Sequence, residues 1–443
     1  MNEKLLPWRW AILIGMTILL ISLQFSFIIP GGAALLVMQV YECEPMAFSM
    51  IMSIPYLSGV LLCVAGGVLA DRIGLGKVFF VSFAIAALGA LERCFALDYW
   101  SLFIASFFMG TGVAALNANS AKLLRLWFPG TANSFAMGVY TAGMSAGAAL
   151  AIYVGSHLPE IHQAWWISFV LIVIGLIAWF SVYRKHPNER RSSEPVSALL
   201  KEVLKDKNVW AIGIVAFLVF GMTNVNGSYM VPAVTALMGD SASTSIAGDM
   251  STINTLVTCI ASMVMPVVFA KLFRNMRAPF IICLIVTGLT LAITFFVPYG
   301  LWTWIAFLVI LPIFMAAIMP FTKMLPVLLP DVKPEHYGVI GGIQATFQNI
   351  GMFLIASYCI SPLAIAFTGA VDGPLYYQGV YVGMAVVCVL AIAALFLFPN
   401  VRSCASVDLD DTYEVGKNDS LEVIARKDAE GIIETVHIEI PSP

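Results

Sequence analysis

The chain has 443 residues, of which 60% are hydrophobic and 11% charged, against about 25% charged in a soluble domain. With a mean hydropathy of +0.91, this sets aside the water-soluble classes and indicates a membrane protein, with no nucleic-acid partner expected. The formal net charge of -3 says little alone, because the charges are distributed unevenly along the chain.

A membrane helix needs about 20 mainly apolar residues, and the sequence offers twelve such segments: 10–36, 47–69, 78–97, 100–122, 133–155, 164–183, 209–236, 250–270, 278–297, 301–323, 338–360 and 378–399. Before the first, Met1 to Trp10 holds a few charges and no small-residue cleavage site, so a retained helix is expected. Between the second and third spans lies Gly66-Gly67-Val68-Leu69-Ala70-Asp71-Arg72-Ile73-Gly74-Leu75-Gly76-Lys77, a tight, charged, glycine-rich junction. Its glycines permit close helix approach, and Asp71 suits a helix N-terminus or a basic partner. Glu92 and Arg93 near the outer end of the third span read as a mutual pair or an anchor reaching the interface.

Lys4, Arg9, Arg72, Lys77, Lys122, Arg125, the cluster Arg184 to Lys207, Lys271, Arg274, Arg277, Lys323 and Lys333 then fall on one side, and only Arg93 on the other. By the positive-inside rule both termini are expected in the cytoplasm, in a plasma (inner) membrane. The loop after the sixth span divides the chain into an N-terminal six-helix bundle at 1–183, a linker at 184–208, a C-terminal six-helix bundle at 209–399 and an acidic cytoplasmic tail at 400–443. Pro195, Val196, Leu199, Leu200, Val203 and Leu204 predict an amphipathic linker helix at the inner surface. The tail reads as a mobile segment, with Ile432 to Ile440 alternating as a strand expected to fray. The eight cysteines show no metal-ligand spacing and read as apolar fillers, Cys43 and Cys94 being the pair able to meet outside.

The halves echo one another: Val68-Leu69-Ala70-Asp71 corresponds to Val268-Phe269-Ala270-Lys271, Lys122 and Pro129 to Lys323 and Pro330, and Gly138 and Gly147 to Gly342 and Gly351. The Gly-x-x-x-Asp-Arg-x-Gly-x-x-Lys junction, the six-plus-six division and the repeat together resemble the major facilitator superfamily. The resemblance implies an all-α membrane protein in which two pseudo-symmetric bundles rock about a central site. It also implies that Gly67, Asp71, Arg72, Gly74 and Lys77 form a conformational switch, and that the first, fourth, seventh and tenth spans line the cavity, helped by the second, fifth, eighth and eleventh. Leu126-Trp127-Phe128-Pro129-Gly130 is similar to the corresponding connection in organic-anion and cyanate or nitrate permeases, although Thr131, Ala132 and Asn133 follow where those commonly hold a basic residue.

Polar side chains inside a membrane need a partner or water. Gln24, Tyr56, Asn117, Tyr140, Asn224, Asn226, Gln344, Gln348 and Asn349 are therefore the candidate substrate-binding residues, since amides both donate and accept; each reads alternatively as an interhelical hydrogen bond. Pro30, Pro55, Pro232, Pro266, Pro312 and Pro320 are candidate kinks. No phosphate loop, metal cluster or nucleophile–base pattern is present, so no catalytic residue, metal or cofactor is expected. The expectation is a monomeric secondary transporter of a small polar or anionic organic solute, with a coupling proton or ion left open. Efflux of amphipathic compounds and a transporter-like sensor signalling through its tail are the alternatives.

Overall fold

The computed structural model describes residues 6–128, 132–185, 203–238, 243–273, 275, 277–294, 296, 300, 302, 305–325, 337–398, 414–418, 421–427 and 433–438. The linker residues 186–202, with most of the expected amphipathic helix, lie outside them.

The chain opens with α1 (Leu6–Gly32), α2 (Ala34–Val40), α3 (Pro45–Ile73), α4 (Leu75–Cys94), α5 (Tyr99–Trp127), α6 (Ala132–His157) and α7 (Ile161–Val182). Local chemistry sets several of these ends. Pro45 opens α3, where its missing N–H costs nothing. Asp98 caps α5, accepting from the Ser101 amide at 2.7 Å. Gly74 alone separates α3 from α4, at φ 97° and ψ 149°, a conformation open in practice to glycine.

The second half runs α8 (Lys207–Met238), α9 (Ser243–Leu272), α10 (Arg277–Thr294), α11 (Leu311–Met324), α12 (Tyr337–Leu354), α13 (Ser361–Thr368) and α14 (Gly373–Leu395). A widened π turn at Ala306–Ile310 leads into α11, and another at Ile355–Ile360 joins α12 to α13. Each ends just before a proline, Pro312 and Pro362. A proline has no amide to give and crowds the carbonyl four residues back, so the preceding turn widens to accommodate it. The eleventh span consequently runs on to Thr368, past the expected end at residue 360.

Each half packs within itself. In the first, α1 lies along α6 and α7, and α5 along α3 and α4; in the second, α8 lies along α12 and α14, and α11 along α9 and α10. Large apolar side chains such as Leu88, Ile177, Val389 and Leu390 stay exposed on the outside, as lipid requires. Among the described residues eight helices are long and apolar enough to cross a membrane, with shorter apolar helices at Arg277–Ile293 and Leu308–Lys323.

The tail departs from expectation. Instead of a frayed segment it forms a three-stranded antiparallel sheet, β1 (Glu414–Asn418), β2 (Leu421–Lys427) and β3 (Ile433–Ile438). The register sets Lys417 opposite Glu422 and Arg426 opposite Glu434.

Candidate functional site

The halves meet where α3 lies along α12 and the π turn after it, where α6 lies along α9, and where α1 crosses α8. No comparably extended packing joins α5 to α11 among the described residues. The interface is therefore closed toward the side holding His157 and Met238, and loose toward the side holding Trp127 and Met324.

On the closed side the contact is polar and dry. Ser357, in the π turn, is 2.6 Å from Ser49 and 2.9 Å from Ser53 of α3, oxygen to oxygen. Asn224 donates to Ser53 Oγ at 3.1 Å and to the Met352 carbonyl at 2.7 Å, which uses both its N–H groups. Within the second half, behind this contact, Tyr376 donates to Tyr229, whose hydroxyl meets Ser361 at 2.5 Å. All these groups are buried. Asn349 is also buried, bonded to the Ala345 carbonyl at 2.8 Å, and its amide sits where a Cβ on Gly59 would fall. Asn224 and Asn349 thus belong to the seam between halves rather than to open space. Further out, His157 Nε2 stands 3.7 Å from Asp249 Oδ1, and a Cβ on Gly248 would collide with Ser156.

On the loose side, polar groups front space. Asn117 on α5 is exposed and accepts from the Tyr140 hydroxyl of α6 at 3.2 Å. Gly227, in mid-span on α8, is exposed, and a Cβ there would meet nothing within 4 Å. Beside it, half-buried Asn226 sets its nitrogen 3.8 Å from Met230 Sδ. Lys323, in the last turn of α11, is exposed, with its ammonium 5.9 Å from the centroid of the buried Phe220 ring on α8. That contact turns the charge inward, away from lipid. Gln24 is half-buried beside Gly147, and Tyr56 packs edge-on against Phe27 with centroids 4.9 Å apart. Gln344 and Gln348 differ despite being one turn apart: Gln344 is buried and donates to the Thr322 carbonyl at 2.5 Å, whereas Gln348 is half-buried.

The switch is described only in part. Helix α3 continues through Ile73 and Gly74 makes the turn, Lys77 is exposed, and the side chains of Asp71 and Arg72, like the surroundings of Gly67, lie outside the described residues.

Arg93 corrects the expectation of an ion pair or interfacial anchor. Glu92 is exposed, while Arg93 is buried inside the first half. It donates to the Ser26 carbonyl at 2.6 Å and to Ser106 Oγ at 3.0 Å, 5.6 Å from the centroid of the Trp165 ring. Ser26 lies four residues before Pro30, so its carbonyl is the one that proline leaves without a helical donor. The guanidinium supplies it. The sequence held the signal: a proline freeing a named carbonyl, and one cation at the wrong end for topology.

Comparison with known proteins accords with this architecture. The family model described as Major Facilitator Superfamily matches residues 14–356. The chain is 27% identical over 177 residues to the nitrite extrusion protein of Bacillus subtilis (39% of this chain, 44% of that protein). It is 30% identical over 190 residues to the 3-(3-hydroxy-phenyl)propionate transporter of Escherichia coli (40% and 45%), and 25% identical over 241 residues to the probable nitrate/nitrite antiporter NarK1 of Thermus thermophilus (49% and 52%). The chain thus spans about half or less of the curated relatives it matches. Among solved structures it resembles a bacterial homologue of the lysosomal transporter Spinster in an inward-facing, unoccupied conformation (TM-score 0.69, 13% identity, 88% of this chain and 96% of that one). It also resembles the nucleoside transporter NupG (TM-score 0.70, 14% identity, 90% and 99%). The matched length and the paired helical halves make this chain a member of the major facilitator superfamily.

Proposed function

We propose that this chain is a secondary transporter that carries a small organic anion across the plasma membrane by alternating access, with both termini in the cytoplasm, as a monomer. One observation carries the choice of an anion: Lys323 is a solvent-exposed cation on the face of α11 turned toward α8, and it has no carboxylate partner among the described residues. A charge inside a membrane protein marks a ligand path unless it is paired. Gln24, Tyr56, Asn117, Tyr140, Asn226, Gln344 and Gln348 are the remaining candidates for contact with the solute. Asn224 and Asn349 act in the closed seam. Relatives named for nitrite, for nitrate and nitrite, and for 3-(3-hydroxy-phenyl)propionate, with others named for benzoate and gallate, support the reading. In it, Gly67, Asp71, Arg72, Gly74 and Lys77 govern the switch between states.

The test is a thermal-shift titration of the purified chain against carboxylates and inorganic anions, followed by flux in liposomes for every ligand that stabilises it. Stabilisation by at least one anion, lost together with flux in Lys323→Gln, is the expected result. Stabilisation by amphipathic neutral or cationic compounds alone, unaffected by Lys323→Gln, contradicts it in favour of efflux.

A further inference from the structure

Among the described residues, two buried side-chain carbonyl oxygens are left without a donor: Gln24 Oε1 on α1 and Asn226 Oδ1 on α8. Arg93 Nε, Trp179 Nε1, Ser228 Oγ and Thr287 Oγ1, which also lack a partner, belong to N–H or O–H groups. A carbonyl oxygen only accepts, so nothing but an incoming donor can satisfy it. Proteins rarely leave buried acceptors in this state, and each instance asks for an explanation.

Their placement supplies one. They occupy the first and seventh spans at the offset of the internal repeat, so each half contributes one such oxygen. Asn226 adjoins Gly227, where an added Cβ would meet nothing within 4 Å. Gln24 lies against Gly147 of α6, and its terminal torsion is soft enough to turn the oxygen toward a ligand. Exchanging the two ends of the Asn226 amide leaves the site no better satisfied, since its nitrogen meets only the weak acceptor Met230 Sδ. A bare metal cation fits poorly, because hard cations take about six or more oxygen ligands.

We infer that Gln24 and Asn226 are acceptors for hydrogen-bond donors on the transported solute, which is therefore a hydroxylated or amine-bearing carboxylate, its anionic group at Lys323 and its O–H or N–H groups at the two amides. The inference rests on the reading of the chain as an organic-anion transporter. It adds that a bare carboxylate binds poorly, because it leaves both oxygens unpaired.

Matched pairs test it: benzoate against 3-hydroxybenzoate, and propionate against lactate, titrated by calorimetry into the purified full chain and into Gln24→Met, Asn226→Leu and Lys323→Gln. The wild type should favour the hydroxylated member of at least one pair by about tenfold, the order expected for pairing a buried acceptor. Gln24→Met and Asn226→Leu should each shrink that ratio while changing the affinity for the unhydroxylated member little, and Lys323→Gln should weaken both members alike. Equal binding of both members in both pairs by the wild type overturns the inference and leaves the anion reading intact. So does a ratio that survives in both amide variants. Binding of neither member of either pair overturns both readings. A sodium dependence of binding that disappears in either amide variant reassigns the oxygens to a cation and also overturns it. Should an amide variant fail to fold, the wild-type ratio decides alone.

Discussion

Arg93 and Pro30 form one device built from two exceptions. The proline frees the Ser26 carbonyl and the arginine occupies it at 2.6 Å, so the two residues are energetically coupled. Arg93→Ala should destabilise the purified chain by about 1–3 kcal/mol, the cost of an unsatisfied buried polar group. Pro30→Ala in that background should recover part of the loss, because an alanine amide at position 30 can donate to Ser26. A thermal-melt double-mutant cycle checks this; additive effects contradict it. Asp98 offers a pH-dependent case. The Ser101 backbone amide holds its carboxyl below the usual carboxylate range. Its cap on α5 is therefore present above the ordinary carboxylate pKa and is lost as pH falls through the depressed folded value. In Asp98→Ala the melting temperature should lose this acid-dependent component, measured as a smaller fall between neutral pH and the carboxylate range.

At the scale of the element, the proposed transport cycle requires the closed seam and the glycine turn to move. Gly74 holds a backbone conformation that a side chain strains by about 1–3 kcal/mol, so Gly74→Ala should slow transport as well as lower stability, read from flux and melting together. The His157–Asp249 contact is half exposed, and such pairs are worth about 0.2–1 kcal/mol. Asp249→Asn should raise labelling of an engineered far-side cysteine by no more than about fivefold. Gly248→Val, which wedges α6 from α9 at Ser156, should raise it more. The spans were legible in the sequence because apolar length is a strong signal, whereas the π turns were not, since a widened turn leaves no periodicity of its own. Pro312 and Pro362 mark both turns only once the helix is seen to continue past them. Site legibility stopped at a similar point. Asn224 and Asn226 look alike as polar residues in one span, yet they project roughly 200° apart around an α-helix. That rotation puts one in the seam and the other beside open space. Ser49, Ser53 and Ser357, which carry the seam, gave no signal, since single serines are unremarkable in a membrane helix.

For the whole molecule, a polar seam is shut while a charged space is open, and the proposed transport cycle requires the seam to part once per turn. Hydroxyl-to-hydroxyl contacts suit such a closure. In a membrane, interhelical hydrogen bonds average only about 0.6 kcal/mol, and water can replace each one when the seam opens. The most direct test is a reversible covalent lock across it. Ser49 and Ser357 hydroxyl oxygens lie 2.6 Å apart, so Ser49→Cys with Ser357→Cys, in a chain cleared of its other cysteines, should form a disulfide on oxidation. Liposome flux of the anion identified by thermal shift should then fall to background and return on reduction. Undiminished flux with the bridge fully formed would contradict alternating access through this seam.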